Sequence, residues 1–126
     1  MKKIVSFVLV LVIAVTCSVS VFARYNYITS FSAGADIDDN GMLWAEGMLT
    51  VDGATARITV TIQQYNGGWK DLYSKTDSSG DVAAVGFERM VSHGYEYRVK
   101  AYAEVLVNGR VVETDTGYTE PTIFFP

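Results

Sequence analysis

A chain of 126 residues with 49% hydrophobic side chains, 14 acidic residues and 10 basic ones has room for one domain at most and carries a formal charge of −4. The acidic excess argues against nucleic acid and anionic membranes as partners, because both are held by clustered Lys and Arg. Its single cysteine, Cys17, excludes a disulfide framework within the chain and any metal site built on several thiolates.

Residues 1–23 read as a secretory signal peptide. Lys2 and Lys3 form the charged start, Ile4 to Val15 is an apolar run broken only by Ser6, and Val21-Phe22-Ala23 places suitable residues at positions −3 and −1 of a cleavage site. The expected cut follows Ala23. The apolar run falls short of the roughly 20 residues that a membrane span needs, which favours a cleaved leader over a permanent anchor. Cys17 follows Thr16 and has Ala14 three places before it, where a lipid-modified cysteine wants a smaller residue and Leu, so lipoprotein processing is not expected. Cleavage leaves eight of the ten basic residues and all fourteen acidic ones, a formal charge of −6. The secreted, extracellular remainder, 24–126, is expected to fold as a single domain. It then has no cysteine and must stand on its core alone.

Turn signals punctuate the remainder at short intervals: Asp38-Asp39-Asn40-Gly41, Asp52-Gly53, Asn66-Gly67-Gly68, Ser78-Ser79-Gly80-Asp81, Ser92-His93-Gly94 and Asn108-Gly109. Between them lie seven segments rich in Val, Ile, Thr, Tyr and Phe, predicted as strands at 26–36, 42–51, 56–65, 69–76, 82–91, 95–107 and 111–124. In the second segment Leu43, Ala45, Gly47, Leu49 and Val51 form the better core face, leaving Trp44 and Met48 opposite. The third alternates Ile58, Val60 and Ile62 inward with Arg57, Thr59, Thr61 and Gln63 outward. The sixth places Tyr95, Tyr97, Val99, Ala101, Ala103, Val105 and Val107 on one face, and Glu96, Arg98, Lys100, Tyr102 and Glu104 on the other. Such alternation fits antiparallel sheets packed on one side and wet on the other. Asn108-Gly109 is the strongest short hairpin signal. Pro121 and Pro126 can end a last edge strand without breaking a central ladder.

Seven short strands joined by tight turns predict an all-β, seven-stranded antiparallel sandwich of the immunoglobulin or fibronectin type III kind. The run Gly94-Tyr95-Glu96-Tyr97-Arg98-Val99-Lys100-Ala101 resembles the entry to the sixth strand of fibronectin type III domains. Together with Ile58-Thr-Val-Thr-Ile-Gln-Gln-Tyr-Asn-Gly-Gly-Trp69-Lys and Asn108-Gly-Arg-Val-Val-Glu113-Thr114, it also resembles a family of small exported proteins of Gram-positive bacteria. The resemblance covers roughly residues 56–118. It implies export and a β-sandwich and implies no activity. The acidic first turn and the lack of a cysteine after cleavage depart from that family.

Candidate chemistry is sparse. His93, the lone histidine, sits in a turn and cannot form a triad without a placed nucleophile and a third group. Asp36-Ile37-Asp38-Asp39-Asn40-Gly41 matches the first half of a calcium loop, with Asp36, Asp38 and Asn40 as alternate oxygen donors and Met42 offering a carbonyl at the seventh place. The twelfth place should hold a bidentate Glu, yet it is Gly47, with Glu46 one place early. The same residues also make a good β-turn. Trp44, Trp69 and Tyr102 are candidate ligand-binding aromatics, since exposed rings stack on sugars or anchor protein partners; the alternative is that Trp44 is a core residue and Trp69 covers a hairpin end. No pair of carboxylates at glycosidase separation can be picked out.

The expected function is a secreted, non-enzymatic binding or structural module whose partner is cell-wall glycan, another protein or a second copy of itself. No catalytic residue and no cofactor other than a possible Ca²⁺ is expected. The rivals are a small secreted hydrolase working through Asp or Glu residues, and a calcium-stabilised surface module.

Overall fold

Alternation of apolar and polar residues between Gly-containing turns forces extended segments whose apolar sides must meet. A computed structural model of the chain describes residues 25–124; the predicted leader, its cleavage site and Cys17 lie outside the described residues. Eight strands follow in order: β1 (Ile28–Ile37), β2 (Met42–Val51), β3 (Thr55–Tyr65), β4 (Trp69–Ser79), β5 (Val82–Met90), β6 (Glu96–Val107), β7 (Arg110–Tyr118) and the short β8 (Thr122–Ile123). They form two antiparallel sheets. The smaller has the order β1-β2-β5; the larger has the order β4-β3-β6-β7, with β8 also paired to β6. The protein is an all-β sandwich.

Turn chemistry sets the strand ends. Asn108 and Gly109 both take positive φ, 54° and 78°, as a two-residue hairpin with the right twist demands. Gly41, at φ 89°, turns β1 into β2 beneath the Phe124 ring, where any Cβ would come within 2.9 Å of that ring.

The core lies between the sheets. Leu43, Ala45, Leu49 and Val51 from β2, with Ala83, Val85 and Phe87 from β5, meet Ala56, Ile58, Val60 and Ile62 from β3 and Tyr97, Val99, Ala101, Ala103 and Val105 from β6. The inward sets of the second, third and sixth segments are as the alternation predicts, except at the rims, where Tyr95 is exposed and Val107 half-buried. Thr61 and Gln63 point outward yet are buried, because β4 lies alongside and supplies Ser74 and Asp71 as hydrogen-bond partners.

Two polar devices tie the layers. The Tyr97 ring is fully buried, and its hydroxyl donates to the Ser92 carbonyl at 2.6 Å while accepting from Gln64 Nε2 at 3.1 Å. This pins the β5–β6 corner to β3. At the opposite edge, the Glu113 carboxylate of β7 accepts from three successive backbone amides, those of Asn26 (2.7 Å), Tyr27 (2.9 Å) and Ile28 (3.1 Å). It therefore latches the start of the smaller sheet to the larger one. Replacing Glu113 by Ala leaves these three amides without that acceptor. The expected loss is about 1–3 kcal/mol, read as a melting point lower by at least several degrees and faster hydrogen exchange at residues 26–28. Unchanged exchange there would show that the latch does not hold β1.

Candidate functional site

The outer face of the smaller sheet is built on β2, its central strand. Trp44, Glu46 and Met48 alternate outward there, and the strands on either side supply small partners: Gly34 and Gly86 flank Glu46, and Ser32 and Ala84 flank Met48. Small neighbours let large side chains lie flat. The Trp44 indole spreads over Gly86, where a Cβ would stand 2.8 Å from Cζ2 and Cη2. Glu46 leans the other way across Gly34, where a Cβ would stand 2.9 Å from Oε2. Indole Nε1–H donates to Glu46 Oε1 at 2.8 Å and locks both side chains in place. Ser32, Trp44, Glu46, Gly47, Met48 and Gly86 line a shallow, open groove of about 260 Å³. Trp44 remains 39% exposed and Met48 44% exposed. Directly across the ladder from Trp44 stand Asp36 on β1 and Glu88 on β5. The arrangement is a flat aromatic floor with carboxylates at its margin. It can stack on an apolar ring face and accept hydrogen bonds from hydroxyls.

The other two candidate aromatics sit elsewhere. Trp69 and Tyr102 both lie on the outer face of the larger sheet, so neither joins Trp44. Nor do they meet each other: Trp69 pairs with Tyr65 and Tyr102 with Thr59, which separates them by six residues of β3, about 20 Å. Trp69 does stand at a hairpin end, edge-on to Tyr65 at 5.3 Å and stacked on Arg98 at 4.2 Å. Tyr102 is half-buried in the middle of its strand, beside the Arg57–Glu104 pair. Glu104 takes two hydrogen bonds from Arg57, at 2.8 and 3.1 Å; these bonds and the opposite charge raise the guanidinium pKa above its ordinary value.

The four candidate metal ligands are spread rather than gathered. Asp36, one residue before the end of β1, stands beside Trp44, and Glu46 lies across Gly34. Asp38 Oδ1 accepts from the amides of Asn40 (2.9 Å) and Met42 (3.0 Å), and the Met42 carbonyl accepts from Asp38 N at 3.0 Å. The oxygens that a calcium loop would aim at an ion are thus closing a hairpin turn. Among the described residues no group of three or more His, Cys, Asp or Glu side chains is placed to hold a metal. Asp38→Ala is expected to lower the melting point by several degrees in calcium-free buffer, about 1 kcal/mol for the lost turn bonds. A loss seen only when calcium is present would make Asp38 a ligand instead.

His93 is exposed in its turn, with the Phe124 ring 5.8 Å away edge-on. It has no hydrogen-bonded nucleophile beside it among the described residues. Sequence reasoning found Trp44 by parity but missed Gly34 and Gly86, which make the platform flat. Glycine inside a strand is a signal for close approach, and both carry it. No protein-family model matches this chain, and no curated protein matches it.

Proposed function

We propose that this chain is an exported, non-enzymatic binding module whose smaller-sheet outer face docks on glycan through Trp44. The observation that carries the reading is the exposed indole held flat over Gly86 and locked by Glu46. A pre-set ring loses little freedom on stacking against a pyranose, and the carboxylates at its rim accept hydroxyl protons. The predicted leader and the resemblance to small exported proteins of Gram-positive bacteria make cell-wall glycan the ligand to test.

Two features support a fibronectin type III-like sandwich. β4 pairs with β3 rather than joining the smaller sheet, unlike the constant-type immunoglobulin order, and the Tyr97–Ser92 bond has the form of a tyrosine corner. Association through an exposed sheet edge is less favoured. β4 carries Lys70 and Lys75 and a bulge at Leu72, all of which blunt an edge.

The test uses the secreted chain and purified, insoluble cell-wall glycan. The expected result is depletion of the chain from solution, reversed by soluble oligosaccharide, with no new reducing ends. Release of reducing ends would favour the hydrolase, and recovery of all the chain in the supernatant would overturn glycan binding.

A further inference from the structure

The outer face of the larger sheet holds a second constellation, independent of the Trp44 platform. At its centre is Arg98 on β6. Its guanidinium lies between two rings, with the Trp69 centroid at 4.2 Å and the Tyr118 centroid at 4.0 Å. Nε–H donates to Gln63 Oε1 at 2.7 Å. Gln63 is buried, and its own Nε2 donates to Asp71 Oδ1 at 2.7 Å. The two rings set the plane of the guanidinium, and Gln63 sets its rotation within that plane. Among the described residues, Nη1 and Nη2 have no hydrogen-bond partner and Arg98 has no ion pair. The nearby carboxylates leave the fork free: Asp71 accepts from Gln63, Glu104 pairs with Arg57, and Glu96, two residues before Arg98 on the same face, forms no ion pair with it.

A guanidinium already oriented loses little entropy when it takes a ligand, and its planar fork matches the two oxygens of a carboxylate. We infer that Arg98, walled by Trp69 and Tyr118, is a subsite for the carboxylate of an acidic sugar, such as a uronic acid unit of a glycan. Charge favours a monoanion. The chain is acidic overall, and Asp71 and Glu96 share this face, so a phosphate dianion or a dense polyanion meets repulsion that one delocalised carboxylate largely escapes. The rings favour a sugar over a bare acid. Tyr118, one wall of the fork, is 52% exposed, and Tyr65, edge-on to the other wall, is 44% exposed, which leaves aromatic surface beside the fork for pyranose C–H groups. Lys100, paired with Tyr118, adds a donor for ring hydroxyls.

The test is an NMR titration of the ¹⁵N-labelled secreted chain, following Arg98 Nε–H and the Trp69 indole N–H. Four probes are compared: methyl glucuronide, methyl glucoside, acetate and inorganic phosphate. Glucuronide is expected to shift both signals saturably, with the other three at least about tenfold weaker. Arg98→Lys keeps the charge and loses the fork; it is expected to keep its melting point within a few degrees and to lose the glucuronide response. Tyr118→Leu keeps the fork and removes one wall, and is expected to weaken the response about fivefold or more. An equal response to acetate, a preference for phosphate, or full binding by Arg98→Lys would overturn the assignment and leave the stack a structural ladder. Trp44→Ala leaves this response unchanged, so the two faces succeed or fail separately.

Discussion

Trp44→Ala is expected to weaken glycan binding about ten- to a hundredfold, about 1.4–3 kcal/mol, while the melting point moves by only a few degrees. The two effects separate because of where the indole sits. It lies outside the core on the wet face of β2, so its removal opens no cavity between the sheets. What it removes is the only large ring on that face among the described residues, together with the hydrogen bond that holds Glu46 across Gly34. Gly86→Val tests the same geometry without touching the ring. A Cβ at Gly86 falls 2.8 Å from Cζ2 and Cη2, so the indole must lift off the sheet. Binding should then fall although Trp44 is present. Wild-type affinity in both variants, measured by depletion on insoluble glycan, would remove the smaller sheet from the function altogether.

Much of this architecture was legible in the sequence because burial in a sandwich follows strict alternation. The second segment, 42–51, is found at those bounds, and its core face is the one that parity selects. The misjudged ends have local causes. β4 runs three residues past the expected end, through Asp77, Ser78 and Ser79, because the backbone ladder to β3 continues there and an exposed outer strand tolerates polar residues that read as a turn. The expected last strand, 111–124, is broken into β7 and β8. Pro121 offers no amide, and Thr119, whose own amide still donates to the Val99 carbonyl, accepts from Val99 N through its hydroxyl. The site was less legible for a reason of a different kind. Period-two reasoning says that Trp44, Arg98 and Tyr102 point outward, but not which strands become neighbours. Only the pairing order places Trp44 on one face of the sandwich and Arg98 between Trp69 and Tyr118 on the other. The bulge at Leu72 shifts β4 by one residue and so helps decide which β4 side chains flank Gln63.

Gly47→Val is expected to destabilise the fold by about 1–3 kcal/mol or more, a fall in melting point of at least several degrees for a domain of about 100 residues. The usual rule runs the other way, since a side chain in place of a strand glycine reduces unfolded-state freedom and improves strand propensity. Here space decides. Gly47 faces inward at the middle of β2, where the sheets approach so closely that a Cβ would stand 2.7 Å from Val60 Cγ2 and 3.0 Å from Ile58 Cδ1. The Ile58 terminus can swing aside, but Val60 has one stiff torsion and is buried on every side. Alanine at Gly47 should therefore also cost stability, by less than valine. Gly68 supplies the control: nothing lies within 4 Å of its would-be Cβ and its φ is not positive, so Gly68→Ala should be neutral or slightly stabilising. Pairing Gly47→Val with Val60→Ala returns volume across the gap and should recover part of the loss, a coupling that a double-mutant cycle reads directly. Strict additivity of the two losses would mean that the sheets are held apart by something other than this contact. Because Gly47 also floors the groove beside Trp44, the same variant should loosen glycan binding only as far as the sheet spacing changes, which ties the flatness of the platform to the thinness of the core beneath it.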